Sequence, residues 1–370
     1  MSEKRKLGEI GSGRGDTLLA RGRSSRSNEA GRFERLQTEA FDDGWSGSED
    51  DEPSRVETTL TAEKAKTIIS RNESPDLGFD RSVNPYRGCE HGCIYCFARP
   101  THAHLGLSPG LDFETRLFYK PDAPSLLRAE LSKAGYAPAR VQLGANTDCY
   151  QPIEKRLGLT RDVIRVLSEF KHPLGITTKN HLVTRDIDLL APMAAQGLAV
   201  VVISMTTFDR RLARDMEPRA STPQRRLDAI RELSQAGIPV IANVSPIIPG
   251  LTDHEIERII ERAAEAGAKH AHYSVLRLSR ELKDLFKEWL AGARPDRADR
   301  VMSLVRQTRG GKENDPRFGL RMVGEGPVAD IMIDRFRAAR RRFGLGGKIA
   351  PLRTDLFKVP PKPGDQFSLF

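Results

Sequence analysis

The 370-residue sequence predicts an α/β fold, a partial barrel of about six β/α units, with a disordered N-terminal segment and a helical C-terminal extension. Two observations predict it. Apolar runs of strand length alternate with amphipathic helical segments between residues 84 and 278, and three cysteines, Cys89, Cys93 and Cys96, sit on a short loop straight after the first strand-like segment. Continuous apolar strands between amphipathic helices imply a parallel sheet covered by helices, either a partial barrel or an open doubly wound sheet. Both arrangements place the active site at the C-terminal ends of the strands.

The elements follow in order. Leu126, Leu127 and Leu131 share a helix face that stops at Gly135, and residues 141–144 read as a strand. Thr160 is expected to cap a helix on which Val163, Ile164, Leu167 and Phe170 recur at helical spacing, followed by a strand over 174–178. A helix ending near Gly197, the apolar run 198–205 and a helix opened by Thr222 and Pro223 come next. Residues 238–247 form the next strand. Ile256, Ile259, Ile260 and Ala263 line a helix that stops at Gly267, and 270–278 is the last strand. The expected organisation is a disordered segment over 1–65, a core barrel over 80–280, a helical extension over 281–345 and an extended tail over 351–370.

The first 60 residues are rich in Ser, Gly and Arg and then strongly acidic at Glu49, Asp50, Asp51 and Glu52, which is the composition of a chain that buries too little to fold. Phe33, Leu36, Phe41 and Trp45 interrupt it, either as scattered apolar residues or as a short element that docks on the barrel. No apolar run approaches the roughly 20 residues of a membrane span, and the polar N-terminus lacks an apolar signal core. A cytoplasmic protein with no membrane partner is expected. A net charge of +9 favours an anionic partner such as nucleic acid, and Arg335, Arg337, Arg340, Arg341 and Arg342 form the densest basic patch.

Of four cysteines, three fall within eight residues, a poor disulfide framework that reads as metal or cluster ligation in a reducing compartment. Thiolates at this spacing suit an iron-sulfur cluster or a soft metal. A structural zinc site would need a fourth ligand from His91, His102 or Cys149.

The pattern C-x3-C-x2-C with an aromatic residue, Tyr95, before its last cysteine resembles the radical S-adenosylmethionine (radical SAM) superfamily, and the barrel is accordingly expected to be of the radical SAM type. The resemblance implies that Cys89, Cys93 and Cys96 hold three irons of a 4Fe-4S cluster whose fourth iron takes the amino and carboxylate groups of S-adenosyl-L-methionine. It also implies a 5′-deoxyadenosyl radical that abstracts a substrate hydrogen, with an electron donor such as flavodoxin or ferredoxin.

Asn84-Pro85-Tyr86-Arg87-Gly88, Asn146-Thr147-Asp148 and Thr178-Lys179 look like the spore photoproduct lyase and DNA-repair-photolyase-like branch. That likeness assigns Thr147, Lys179 and Ser204 to the methionine end of the cofactor and Ile248 and Gly250 to its adenine. Two positions depart from the branch. Ala145 and Phe97 stand where spore photoproduct lyase carries its hydrogen-returning cysteine and tyrosine, so the thymine-dimer reaction does not transfer, and Cys149 is a candidate substitute donor. The tail residues 366–370 resemble a peptide that binds the bacterial DNA sliding clamp, with Gln366, Leu369 and Phe370 as its anchors.

The expected function is therefore a radical enzyme of lesion repair or modification on DNA or RNA. The alternatives are a radical enzyme modifying a protein or small molecule, and a nonenzymatic iron-sulfur or zinc protein that binds nucleic acid.

Overall fold

The computed structural model describes residues 22–33, 56–347 and 349–361. Its strands in chain order are β1 (Thr59–Ala62), β2 (Ile69–Arg71), β3 (Arg81–Val83), β4 (Tyr86–Arg87), β5 (Arg116–Tyr119), β6 (Val141–Leu143), β7 (Leu174–Thr178), β8 (Ala199–Met205), β9 (Val240–Ile247) and β10 (His270–Val275). The main sheet runs β10-β9-β8-β7-β6-β3-β2, and every pairing from β3 through β10 is parallel. These six strands are the predicted partial barrel. β2 adds an antiparallel edge next to β3, while β1, β5 and β4 make a separate three-stranded sheet that the sequence does not reveal.

The register divides each strand into two faces. Ile176, Val201, Ile203, Ala242, Val244 and Ala271 point outward into one large core, shared with Val163, Ile164, Leu227, Ile230, Ile259 and Ile260 of the covering helices. Those helices, Leu159–Glu169, Pro223–Gln235 and Ile256–Glu265 among them, fall where the apolar spacing places them. The alternate residues face the barrel interior. Cross-strand partners there include Gln142 with Gly175, Gly175 with Val200, Ser204 with Asn243, and His272 with Asn243.

One expected cap is corrected. The helix begins at Leu159, Thr160 lies inside it, and the Thr160 hydroxyl donates to the Cys149 carbonyl at 2.6 Å. The carboxylate of Glu154, fully buried, takes the Thr160 N–H at 2.9 Å and so does the capping.

The terminal segments also depart from expectation where they are described. Within the segment expected to be disordered, residues 22–33 lie against the barrel with Arg23, Ser24 and Ser25 buried, and β1 pairs with β5. Polar contacts do what apolar burial does elsewhere: Arg23 donates to the Glu114 carbonyl at 2.8 Å, and Ser27 to Glu288 at 2.7 Å. Phe33 lies 5.1 Å from the His104 ring but stays 56% exposed. Leu36, Phe41, Trp45 and the acidic run lie outside the described residues, as do Gln366, Leu369 and Phe370. The described part of the tail folds back onto the barrel. Ile349 and Leu352 pack on the interior residues Val200, Val202 and Ile241, and Phe357 meets Phe170, Tyr136 and His172.

His172 and His102 are both fully buried, and burial pushes each down to about 4. The unfolded chain takes up a proton at each near pH 6.5, which the folded chain refuses until about pH 4. The stability they confer is complete above pH 6.5 and is lost as pH falls toward 4. Urea denaturation should therefore show a lower midpoint at pH 4.5 than at pH 7, and His172→Gln should shrink that difference.

Candidate functional site

The cysteine loop leaves β4 at the C-terminal end of the sheet and is held by polar contacts from below. The Cys89 N–H donates to the Phe113 carbonyl at 2.9 Å, and the Ile94 N–H to the Met216 carbonyl at 3.0 Å. Behind the loop sits Arg99, with no exposed surface. Its guanidinium donates to the carbonyls of Cys93 (2.8 Å), Gly92 (2.9 Å), Pro109 (3.0 Å) and Gly110 (2.9 Å), and it pairs with the equally buried Glu114 at 2.5 Å. Glu114 in turn accepts the backbone N–H groups of Ser24 and Ser25 at 3.2 and 3.0 Å. An arginine whose donors meet four loop carbonyls, the Ser24 hydroxyl and one carboxylate fixes backbone shape, and nothing in the sequence spacing announces the pair.

All three loop cysteines are unbridged; Cys89 and Cys93 are buried and Cys96 is partly open. Burial, followed for Cys89 by the nearby Asp148, pushes its thiol up, and burial does the same to Cys93 against the pull of Lys179. Loading iron must therefore displace protons from this loop. Among the described residues no three His, Cys, Asp or Glu side chains converge closely enough to share one metal ion. In an iron-sulfur cluster each thiolate takes a different iron, so three cysteines that hold one need not meet at a single point.

The strand ends supply the rest. His91, from the cysteine loop, stands 3.3 Å from Asp148 after β6 and 3.1 Å from the Asn180 amide after β7. Asp148 accepts from the Thr178 hydroxyl at 2.7 Å and the Lys179 N–H at 2.8 Å. Burial alone would push its carboxyl up, but His91 and these donors hold it down at about 2, so it stays ionised. Neither His91 nor Asp148 stands out in the sequence as a positioning residue. Together they bind the cysteine loop to two strand ends.

Lys179 projects its ammonium over the Tyr95 ring, 5.7 Å from the centroid, and among the described residues it has no carboxylate partner. The Tyr95 hydroxyl lies 3.1 Å from that of Thr206. Ser204 is buried on the interior face of β8, 3.4 Å from the Asn243 amide. The Thr147 hydroxyl donates to the Tyr86 carbonyl at 2.8 Å, so its donor capacity is spent on the backbone. Ile248 is fully buried in a cluster with Cys93 and Tyr95.

The structure gives Gly250 a packing role and corrects the assignment of Cys149. A side chain at Gly250 would run into Leu304 at 2.8 Å, and the backbone there has φ +78°, so the glycine serves a turn and the packing of helix Ala298–Gln307. Cys149 is fully buried in the main core with Val141, Leu143 and Val163, and burial pushes its thiol well up. It is an inert core thiol, not a hydrogen donor facing substrate. Phe97, by contrast, is 50% exposed directly after the last loop cysteine.

The basic helix Pro327–Arg342 is not one continuous patch. Arg335 makes two 2.7 Å bonds to Glu257, Arg337 lies 3.6 Å from Asp334, and Arg340 turns toward the barrel.

The model of the radical SAM superfamily matches residues 83–263. An uncharacterized protein of Mycobacterium tuberculosis is 39% identical over 233 residues, covering 62% of this chain and 68% of the relative. One of Methanocaldococcus jannaschii is 30% identical over 226 residues, covering 61% and 81%. A radical SAM Nalpha-GlyT isomerase of Pseudomonas phage M6 is 27% identical over 192 residues, covering 51% of this chain and 38% of the phage protein. Among solved structures, spore photoproduct lyase complexed with dinucleoside spore photoproduct aligns with a TM-score of 0.57 at 17% identity, over 78% of this chain and 81% of that one. At that identity the likeness establishes the fold.

Glu114→Gln leaves the Arg99 guanidinium buried without a counter-charge, at a cost of roughly 3–5 kcal/mol. Denaturant midpoint and iron content of anaerobically purified protein should both fall. Arg128→Gln, at an exposed pair with Glu169, should cost under about 1 kcal/mol.

Proposed function

Because the chain belongs to the radical SAM superfamily, and is a radical SAM enzyme on the strength of that family and its fold, we propose that it acts on a lesion or modified nucleotide in DNA or RNA. The observation that carries the substrate reading is the shared fold with spore photoproduct lyase across more than three quarters of both chains. The net charge of +9 and the clamp-like tail support it.

The cofactors proposed are a 4Fe-4S cluster on Cys89, Cys93 and Cys96, and S-adenosylmethionine. Three unbridged thiols on one braced loop, beside a lysine with no carboxylate partner among the described residues, fit that pair. When bound, they supply radical chemistry that removes a hydrogen atom from substrate. The chain's own residues would position it: Lys179 would meet the cofactor carboxylate by a charge-assisted bond, the Tyr95 ring supports that ammonium, and Ser204 would offer a hydroxyl from the interior face of β8. Ile248 closes the apolar side. Phe97 has no hydroxyl to return a hydrogen, so any return step uses a different donor from that of spore photoproduct lyase. A cytoplasmic location is proposed alongside; among the described residues no helix is long and apolar enough to cross a membrane.

A second reading, rearrangement of a substrate with no net gain or loss of atoms, is favoured by the phage relative, whose name is that of an isomerase. Anaerobic turnover with damaged DNA, damaged RNA and nucleic-acid-free cell extract tests the substrate class, and the mass of the product, unchanged for an isomer, separates the two readings. Release of 5′-deoxyadenosine stimulated only by nucleic acid supports the proposal, and stimulation only by the nucleic-acid-free fraction refutes it. Lys179→Met should weaken S-adenosylmethionine binding about tenfold or more by equilibrium titration, with iron content unchanged.

A further inference from the structure

The barrel interior carries a second group of side chains that the cysteine site does not use. Arg140, directly before β6, lays its guanidinium across the interior face of β7. The strand makes room by having Gly175 there, since a Cβ at that position would meet the Arg140 Nε and Nη2 at 2.5 Å. A glycine inside a parallel strand weakens the strand, and here it admits a charged group. The Arg140 Nη2 donates to Gln142 at 2.6 Å, and its Nε is buried with no partner.

Facing it from β10 are His270 and His272, their rings 4.7 Å apart, and Arg340 of helix Pro327–Arg342 comes close enough to both to disfavour their charging. Among the described residues no carboxylate pairs with Arg140 or Arg340, and burial disfavours the charge of the Arg140 guanidinium. His272 remains exposed, so solvent reaches this face. From below, the tail closes the floor: His270 Nδ1 lies 2.7 Å from the Gly347 carbonyl, while Ile349 and Leu352 cover Val200, Val202 and Ile241.

A half-buried guanidinium with an unmet donor, among further basic groups and no acid, is costly unless an anion completes it. Arginine's planar fork suits an oxyanion bound in two places. We infer that Arg140, His270, His272 and Arg340 form an oxyanion-binding site on the floor of the barrel, taking a phosphate or carboxylate group. Gly175, beneath Arg140, is in register with Val200, four residues down β8 from Ser204 or roughly 13 Å at ~3.3 Å per residue, while His270 and His272 are in register through β9 with Val202 and Ser204, so the site climbs from the floor toward the cofactor level. A ligand reaching from the floor to the cofactor level carries its anionic end away from the carbon that reacts. The inference does not depend on nucleic acid being the substrate.

The test is thermal unfolding and calorimetry of the full-length, cluster-loaded protein with inorganic phosphate, acetate or chloride at constant ionic strength. Phosphate or acetate should raise the melting temperature saturably above chloride; a response to phosphate alone defines a phosphate site, and a response to both a general oxyanion site. Arg140→Gln should weaken binding about tenfold or more, His272→Gln should weaken it several-fold, and Arg341→Gln, exposed on the same helix as Arg340, should bind like the parent. Should Arg140→Gln not fold, the His272→Gln and Arg341→Gln pair decides. Equal responses to all three anions, or equal losses in His272→Gln and Arg341→Gln, would overturn the inference.

Discussion

The buried pairing of Arg99 with Glu114 is the constraint on which the site depends. A loop that must present three thiols leaves only a few side chains, Ile94 and Tyr95 among them, to pack an apolar cluster, so hydrogen bonds set much of its shape. Arg99 fixes the loop from within through the Gly92 and Cys93 carbonyls, and Glu114 balances its charge. The same carboxylate holds Ser24 and Ser25, so the N-terminal segment is part of the scaffold of the cysteine loop even though it lies far away in sequence. Removing either charge leaves the other buried and unpaired, which makes the arrangement cooperative.

The second tie is electrostatic and runs to the strand ends. Asp148 stays ionised because His91, Thr178 and the Lys179 backbone all stabilise its charge. The contact through His91 sets the height of the cysteine loop over β6 and β7. It also leaves Lys179 free to extend over Tyr95, where a carboxylate can reach it. The barrel thus positions a cation and a thiol cluster on adjoining elements, one from a strand end and one from the loop before it.

How much of this was legible follows from how each feature is encoded. Strands β6 to β10 and their helices were readable because long apolar runs and 3.6-residue spacing are local signals. β1, β2, β4 and β5 are two to four residues long, too short to carry an alternation, and β1 and β2 are mostly exposed. The three cysteines and Lys179 were legible from a motif and a strand end. Arg99 with Glu114, His91 with Asp148, and Arg140 with Gly175 were not, because each is a long-range pairing of ordinary residues that only the folded chain brings together. Cys149 misled for the converse reason: its loop position suggested chemistry, and the fold turned it into the core.

The central claim is that the braced cysteine loop holds a cluster with one iron open to S-adenosylmethionine beside Lys179. Electron paramagnetic resonance of the reduced, reconstituted protein tests it most directly. The account predicts one reduced 4Fe-4S signal that changes shape when S-adenosylmethionine is added, and changes little at the same concentration in Lys179→Met. A fully occupied cluster whose signal is the same with and without S-adenosylmethionine would contradict it.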